Sequence, residues 1–269
     1  MFPEIKCNME NLVSFVLDWC ESLKSLPSSI HMLTALANIS LDDCSKLEEL
    51  PEIFEVMKTL KSLKLKATAV KELPSSISHL LGLITLNLDM CKNLKFLPDL
   101  SALKYLEILS LSCCEKIEKL PCLAGLSSLV EINLSACCNL LQIPEDIGCL
   151  SSLSNLSLKG SKIVSVPASL KNLSRLYRLD LTDCTRLEIL PELPLFLQYL
   201  YATEDMGNNL DKVQLFDFTG FLELDQESRS NIMADAQIRL HLMAKLSRKV
   251  SPSVTFCFPG NEIPDVFVH

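Results

Sequence analysis

Apolar residues recur along this chain with two periods at once. Over short stretches they alternate with polar residues, as in Leu12-x-x-Phe15-x-Leu17, Leu36-x-x-Ile39-x-Leu41 and Leu83-x-x-Leu86-x-Leu88. That alternation is the signature of a half-buried strand. The stretch then returns from new starts at Leu12, Leu36, Leu60, Leu83, Leu106, Leu129, Leu153 and Leu176, at intervals of 24, 24, 23, 23, 23, 24 and 23 residues. A unit this short cannot cover its own apolar face, so it must stack on its neighbours. The strands of successive units are therefore predicted to run parallel in one sheet. In the first unit Leu12, Phe15 and Leu17 are expected to point inward, and Ser14, Val16, Asp18 and Trp19 outward.

The return path of each unit is also written in the sequence. An apolar-Pro pair recurs as Leu26-Pro27, Leu50-Pro51, Leu73-Pro74, Leu97-Pro98, Leu120-Pro121, Ile143-Pro144, Val166-Pro167 and Leu190-Pro191. Proline fixes φ, lacks an N–H and pushes the preceding residue to extended backbone, so these positions exclude long helices. Extended segments or short 3₁₀ turns are expected there. The fold predicted is an α/β-type solenoid, a leucine-rich-repeat horseshoe with a parallel concave sheet and an irregular LP-rich convex side.

One position per repeat, directly after the strand, carries Cys20, Cys44, Thr68, Cys91, Cys114, Cys137, Ser161 and Cys184. A thiol can serve there as a small buried group with weak hydrogen-bonding ability, and one per strand at about 5 Å gives a structural ladder. Metal sites instead gather ligands in local Cys/His clusters, so no metal and no cofactor is expected. Where Thr68 and Ser161 replace Cys, the stretch to the Pro pair shortens by one residue. A hydroxyl bonded to the turn backbone is expected to accompany that contraction.

The periodic pattern fades after Leu197, Leu200 and Ala202. Residues 226–245 place Ile232, Met233, Ala236, Leu240, Met243 and Ala244 near one stripe, predicting an amphipathic C-terminal helix that covers the solenoid. Val254 to Phe258 reads as a strand without a sheet of its own, the start of an incomplete β-domain. The expected organisation is repeats over 1–202, a helical cap and linker over 203–250, and the start of a further domain over 251–269. Met1 to Ile5 matches the middle of a repeat, so the first strand is expected to lack its preceding neighbour.

Charge and composition narrow the function. The net charge of −8 disfavours binding to a phosphate backbone, which needs a clustered basic surface. No run approaches the ~18 apolar residues that cross a bilayer, and Met1 to Ile5 has no signal-peptide pattern. Buried free thiols point to a reducing compartment. No Gly is followed by Lys, so the phosphate-binding motif G-x-x-x-x-G-K-[S/T] is missing from the chain. Catalysis is not expected: Cys257 has only His269 nearby in sequence.

The repeat cadence with Cys in the ladder, and the variant Thr68-Ala69-Val70-Lys71-Glu72-Leu73-Pro74-Ser75-Ser76-Ile77, resembles the sensor region of plant intracellular disease-resistance receptors with TIR and NB-ARC domains. Asp217 to Thr219, Asn231 to Gln237 and Phe256 to Pro264 are similar to the stretch joining such repeats to a C-terminal jelly-roll/Ig-like domain (C-JID). Val266 departs from that pattern, which usually has Trp. The resemblance implies recognition of a pathogen effector or a guarded host protein, control of an NB-ARC domain in the same polypeptide, and a cytoplasmic location, with the nucleus as a second compartment. It implies that any NAD hydrolysis would lie in a TIR domain outside these residues. A standalone scaffold of the Ras-group repeat type is the alternative.

For binding, the outward positions of the concave face are the candidates: Trp19, Asp18, Asp42, Asp43, Lys64, Lys66, Asp89, Met90, Arg178, Asp180 and Asp183. Aromatic side chains such as Trp19 often anchor interfaces. The acidic start of the face, Asp18, Asp42 and Asp43, fits a partner with basic groups near the first two repeats.

Overall fold

The computed structural model describes residues 3–194, 197–201, 213–217, 225–246 and 253–257, of which 213–217, 239–246 and 253–257 are described as backbone only. Among the described residues eleven strands form one sheet in strict chain order. They are β1 (Ser14–Val16), β2 (Asn38–Ser40), β3 (Ser62–Lys64), β4 (Thr85–Asn87), β5 (Ile108–Ser110), β6 (Glu131–Asn133), β7 (Asn155–Ser157), β8 (Arg178–Asp180), β9 (Tyr199–Tyr201), β10 (Val213–Asp217) and β11 (Ser253–Cys257). Every pairing is parallel, and the repeat positions stay in register: Ser14 faces Asn38, Asn38 faces Ser62, and so on to Arg178 and Tyr199.

The first eight strands are three residues long because each runs into a turn of one design. The residue before the ladder position adopts positive φ in eight repeats: Trp19, Asp43, Ala67, Met90, Cys113, Ala136, Gly160 and Asp183. The next N–H folds back onto the carbonyl three residues earlier, as from Cys91 to Leu88 at 3.1 Å. Left-handed backbone costs a non-glycine residue roughly 1 to 2 kcal/mol. Seven of the eight are not glycine, so the cost must be offset by the turn bond and by the bond from the same residue to the next repeat. Met90 N, for example, donates to Ser112 O at 2.6 Å.

The convex side follows a rule of spacing. Short 3₁₀ turns occupy Ser28–Met32, Ser75–His79, Glu145–Cys149 and Ala168–Asn172, each directly after a proline. In these four repeats apolar residues fall three, six and nine residues after the proline, as with Ile30, Leu33 and Leu36 after Pro27. A 3₁₀ helix has three residues per turn, so that spacing puts all of them on one buried line. After Pro98 and Pro121 a leucine comes two residues later, at Leu100 and Leu123, and no 3₁₀ turn forms there; a hydrogen-bonded turn follows, with Leu103 N donating to Leu100 O at 2.8 Å and Leu126 N to Leu123 O at 3.0 Å.

The core is a file of leucines, with Leu36, Leu83, Leu106, Leu129, Leu153 and Leu176 fully buried. Among the described residues β1 is bonded on one side only, and there the equivalent Leu12, Phe15 and Leu17 are just partly buried.

At the other end the sheet continues beyond the last repeat legible in sequence. β10 pairs with β9 and β11 with β10. The strand read as lacking a sheet thus extends the solenoid's own sheet: the unpaired edge of β9 is filled by β10, a segment with no repeat signature. Between these two strands lies α1 (Gln226–Leu246). Asp225 caps it, accepting the N–H of Ser228 at 2.7 Å. Its first turns dock on the eighth repeat through Asp225 N to Glu188 O at 2.9 Å and Leu190 N to Ser228 Oγ at 2.9 Å. Ile232 and Ala236 are buried on that side and Met233 is half-buried. The side chains of Leu240, Met243 and Ala244, and residues 258–269, lie outside the described residues.

Candidate functional site

The concave face is built from two rows of side chains, those flanking the central leucine of each strand. The first row reads Ser14, Asn38, Ser62, Thr85, Ile108, Glu131, Asn155, Arg178, Tyr199. The second reads Val16, Ser40, Lys64, Asn87, Ser110, Asn133, Ser157, Asp180, Tyr201. Apart from Lys64, Ile108 and Glu131, the middle carries short polar side chains that offer little anchoring area.

The large groups gather at the last two repeats. Tyr177 and Tyr199 have ring centroids 5.0 Å apart, Tyr199 and Tyr201 stack with centroids 6.3 Å apart, and the Arg178 guanidinium lies 4.7 Å above the Tyr201 ring. Burial pushes the Tyr201 phenol above its usual range. Beside this cluster a recess of about 330 Å³ is lined by Glu131, Asn133, Asn155, Ser157, Tyr177, Arg178 and Asp180. Tyr and Arg are the residue types that most often carry interface energy.

The acids at the ends of the strands have a structural task. An N–H two residues past the strand needs an acceptor, and in three places an acid of the preceding repeat supplies it. Asp18 Oδ1 accepts it from Asp42 at 3.0 Å, Asp42 Oδ1 from Lys66 at 2.8 Å, and Asp89 Oδ1 from Ser112 at 2.8 Å. Elsewhere the acceptor is an Asx side chain of the same repeat: Asn87 for Asp89, Asn133 for Ser135 and Asp180 for Thr182. Burial leads the upward shift of the Asp42 carboxyl.

The ladder groups also bond between repeats. Cys44, Cys91, Cys114, Cys137 and Cys184 each donate a thiol hydrogen to a leucine carbonyl of the preceding repeat, all at 3.1 Å. Thr68 instead donates to Leu65 O of its own repeat at 2.8 Å, and Ser161 lies 3.5 Å from the Cys184 sulfur. Cys20 is exposed, since no preceding repeat covers it among the described residues. Burial raises the Cys91 thiol to about 11 and the Cys137 thiol to about 12. These are donors held protonated, unsuited to nucleophilic chemistry.

A family model described as disease resistance protein RPS4B-like leucine-rich repeats matches residues 32–117. Disease resistance-like protein DSC1 of Arabidopsis thaliana is 30% identical over 99% of this chain and 22% of its own length. Disease resistance protein RPS4B of the same plant is 32% identical over 100% of this chain and 20% of its own length. TMV resistance protein N of Nicotiana glutinosa is 32% identical over 71% of this chain and 15% of its own. The chain belongs to the plant disease resistance proteins. It spans about a fifth of the length of these relatives, and the part it matches is repeat rather than catalytic domain. Among solved structures, the leucine-rich repeat domain of the type III effector XopL superposes with a TM-score of 0.50 at 26% identity, covering 71% of this chain and 69% of that one.

Within these resistance-protein repeats the candidate residues fall into three places. Lys64, Arg178 and Asp180 stand on the concave rows. Asp18, Asp42, Lys66 and Asp89 sit at the strand ends, where the three acids hold backbone. Trp19, Asp43, Met90 and Asp183 occupy the left-handed turn, at the rim of the sheet rather than on its concave strands. Trp19 is 71% exposed there. The three tyrosines were missed by sequence reasoning. Their signal was present: of the chain's four tyrosines, Tyr177 directly precedes β8, and Tyr199 and Tyr201 fall on the outward positions of β9.

Proposed function

We propose that this segment is the sensor of a plant resistance receptor, recognising a pathogen effector or a guarded host protein on its concave face. Binding there would regulate a nucleotide-binding domain elsewhere in the same polypeptide. The observation carrying this reading is the Tyr177, Arg178, Tyr199 and Tyr201 cluster beside an open recess, in a chain of the disease resistance family. Side chains of this kind, set at one end of an otherwise small and polar face, supply anchor and area where the rest supplies only complementarity. The cytoplasm, with the nucleus as a second compartment, suits the thiol ladder, whose sulfurs act as donors only when reduced.

The test is a full-length receptor carrying these repeats, co-expressed in leaf tissue with candidate effectors from a pathogen it resists. Tyr177→Ala and Tyr199→Ala are expected to abolish the elicited cell death and the co-precipitation of effector, at unchanged receptor level. A response that survives substitutions along both concave rows would overturn the reading.

A further inference from the structure

The charged group that dominates the recess is Arg178, and its geometry narrows what can dock. Its guanidinium carbon lies over the Tyr201 ring, 4.7 Å from the centroid. A guanidinium is planar and presents its N–H groups as a fork that matches a carboxylate. Among the described residues no hydrogen bond takes up these donors. The nearest acid, Asp180, approaches to 3.9 Å, beyond hydrogen-bond range. Its other oxygen is occupied by the N–H of Thr182. The Arg178 side chain is 52% exposed while Asp180 is 14% exposed, so the cation, not the acid, meets an incoming partner.

Two alternatives fail on position. A cation from the partner cannot use the Tyr201 face, because Arg178 already covers it. Glu131, the other acid of the recess, stands two strands away along the row Glu131, Asn155, Arg178. At strand spacing that is about 10 Å. This is close to the screening length of roughly 8 to 10 Å at physiological salt, so Glu131 repels an acid at Arg178 only weakly.

We infer that Arg178 anchors an Asp or Glu side chain of the protein partner, while the rings of Tyr177 and Tyr199 pack against apolar groups flanking that acid. The inference rests on the concave face being the recognition surface, and deepens that reading by naming the chemistry it selects. Tyr201 is a positioning residue: its ring lies against the guanidinium and holds it in place. Asn155 and Ser157 form the floor on which the partner's backbone lies.

The full chain is panned against random peptides displayed as fusions through their C-termini, so that every carboxylate offered is a side chain's. Only peptides retained by the wild type and lost on Ser157→Trp, which fills the recess, are kept. Amidated synthetic copies are then titrated against variants whose thermal midpoints match the wild type. Retained peptides are expected to share an Asp or Glu beside apolar residues. Arg178→Lys, which keeps the charge and removes the fork, should weaken them about tenfold or more. Tyr201→Leu should weaken them in the same direction, and Glu131→Gln should leave them unchanged or slightly tighter. Retained peptides that lack acids, or that lose binding on Glu131→Gln and not on Arg178→Lys, overturn the carboxylate inference and leave the concave-face reading standing. If no peptide depends on Ser157, the inference falls, and whether the receptor's effector response depends on the concave rows decides the broader reading separately.

Discussion

The sulfur of Cys114 lies 3.1 Å from the carbonyl oxygen of Leu88 in the preceding repeat, and the same oxygen accepts the N–H of Cys91 at 3.1 Å. One carbonyl therefore closes the turn of its own repeat and receives the thiol of the next. This arrangement ties turn geometry to stacking, and it gives the ladder position a measurable energy.

Cys114→Ala removes both the thiol donor and a fully buried atom. The turn bond from Cys91 remains, so the loss is that of a weak second bond plus a small cavity, about 1 to 2 kcal/mol. The same change at exposed Cys20 should fall within about 0.5 kcal/mol. Urea unfolding of the two variants checks the contrast, and equal losses would refute it.

The buried thiols make stability fall in alkali. Their folded values are raised above the ordinary 9.0, to about 11 at Cys91 and about 12 at Cys137, chiefly by burial. The unfolded chain therefore loses these protons first, and the contribution, fully present below pH 9, is lost as pH rises toward 11 or 12. The expected slope is about 1.4 kcal/mol per pH unit per thiol in that window. Cys91→Ala should flatten the decline relative to wild type; parallel pH profiles would contradict this origin.

Two glycines should fail for different reasons. A Cβ at Gly82 would stand 1.9 Å from the backbone oxygen of Lys58, a clash no side-chain movement relieves. Gly82→Ala is expected to cost more than ~2 kcal/mol. At Gly160 a Cβ meets nothing closer than 3.8 Å, but φ is +66°. Gly160→Ala should cost about 1 kcal/mol, the ordinary price of left-handed backbone. Thermal unfolding should rank Gly82→Ala as clearly the worse.

Asp89 separates structure from recognition. Its Oδ1 accepts from Ser110 Oγ at 2.6 Å and Ser112 N at 2.8 Å. Asp89→Asn keeps an oxygen there and should change stability by less than about 0.5 kcal/mol, whereas Asp89→Ala leaves both donors unmet and should cost about 1 to 2 kcal/mol. If the two are equally destabilised in denaturant titrations, the acid's role is its charge and not its acceptor.

The repeat length, the strand register and the leucine core were legible because each depends on local period. Leu83, Leu86 and Leu88 alternate, and the same alternation recurs one repeat later at Leu106, Leu109 and Leu111. Whether a 3₁₀ turn follows the proline was also written in the chain, in the distance from Pro27 to Ile30 against that from Pro98 to Leu100. It could be read only once the turns were seen. The role of Asp18, Asp42 and Asp89 was not legible. An acid outside a strand looks like a solvated charge unless the unpaired N–H of the next repeat is known to face it.

What the sequence alone determined was the solenoid, its membership in a repeat class and the position of each ladder thiol, since stacking of identical units leaves one way to bury their faces. Only tertiary structure decided that β10 and β11 continue the sheet, that Trp19 and Met90 turn to the rim, and that Tyr177, Arg178, Tyr199 and Tyr201 form one cluster. Each of these depends on contacts between residues 16 or more positions apart, such as Leu215 and Tyr199, or on a backbone sign that side-chain patterns do not encode.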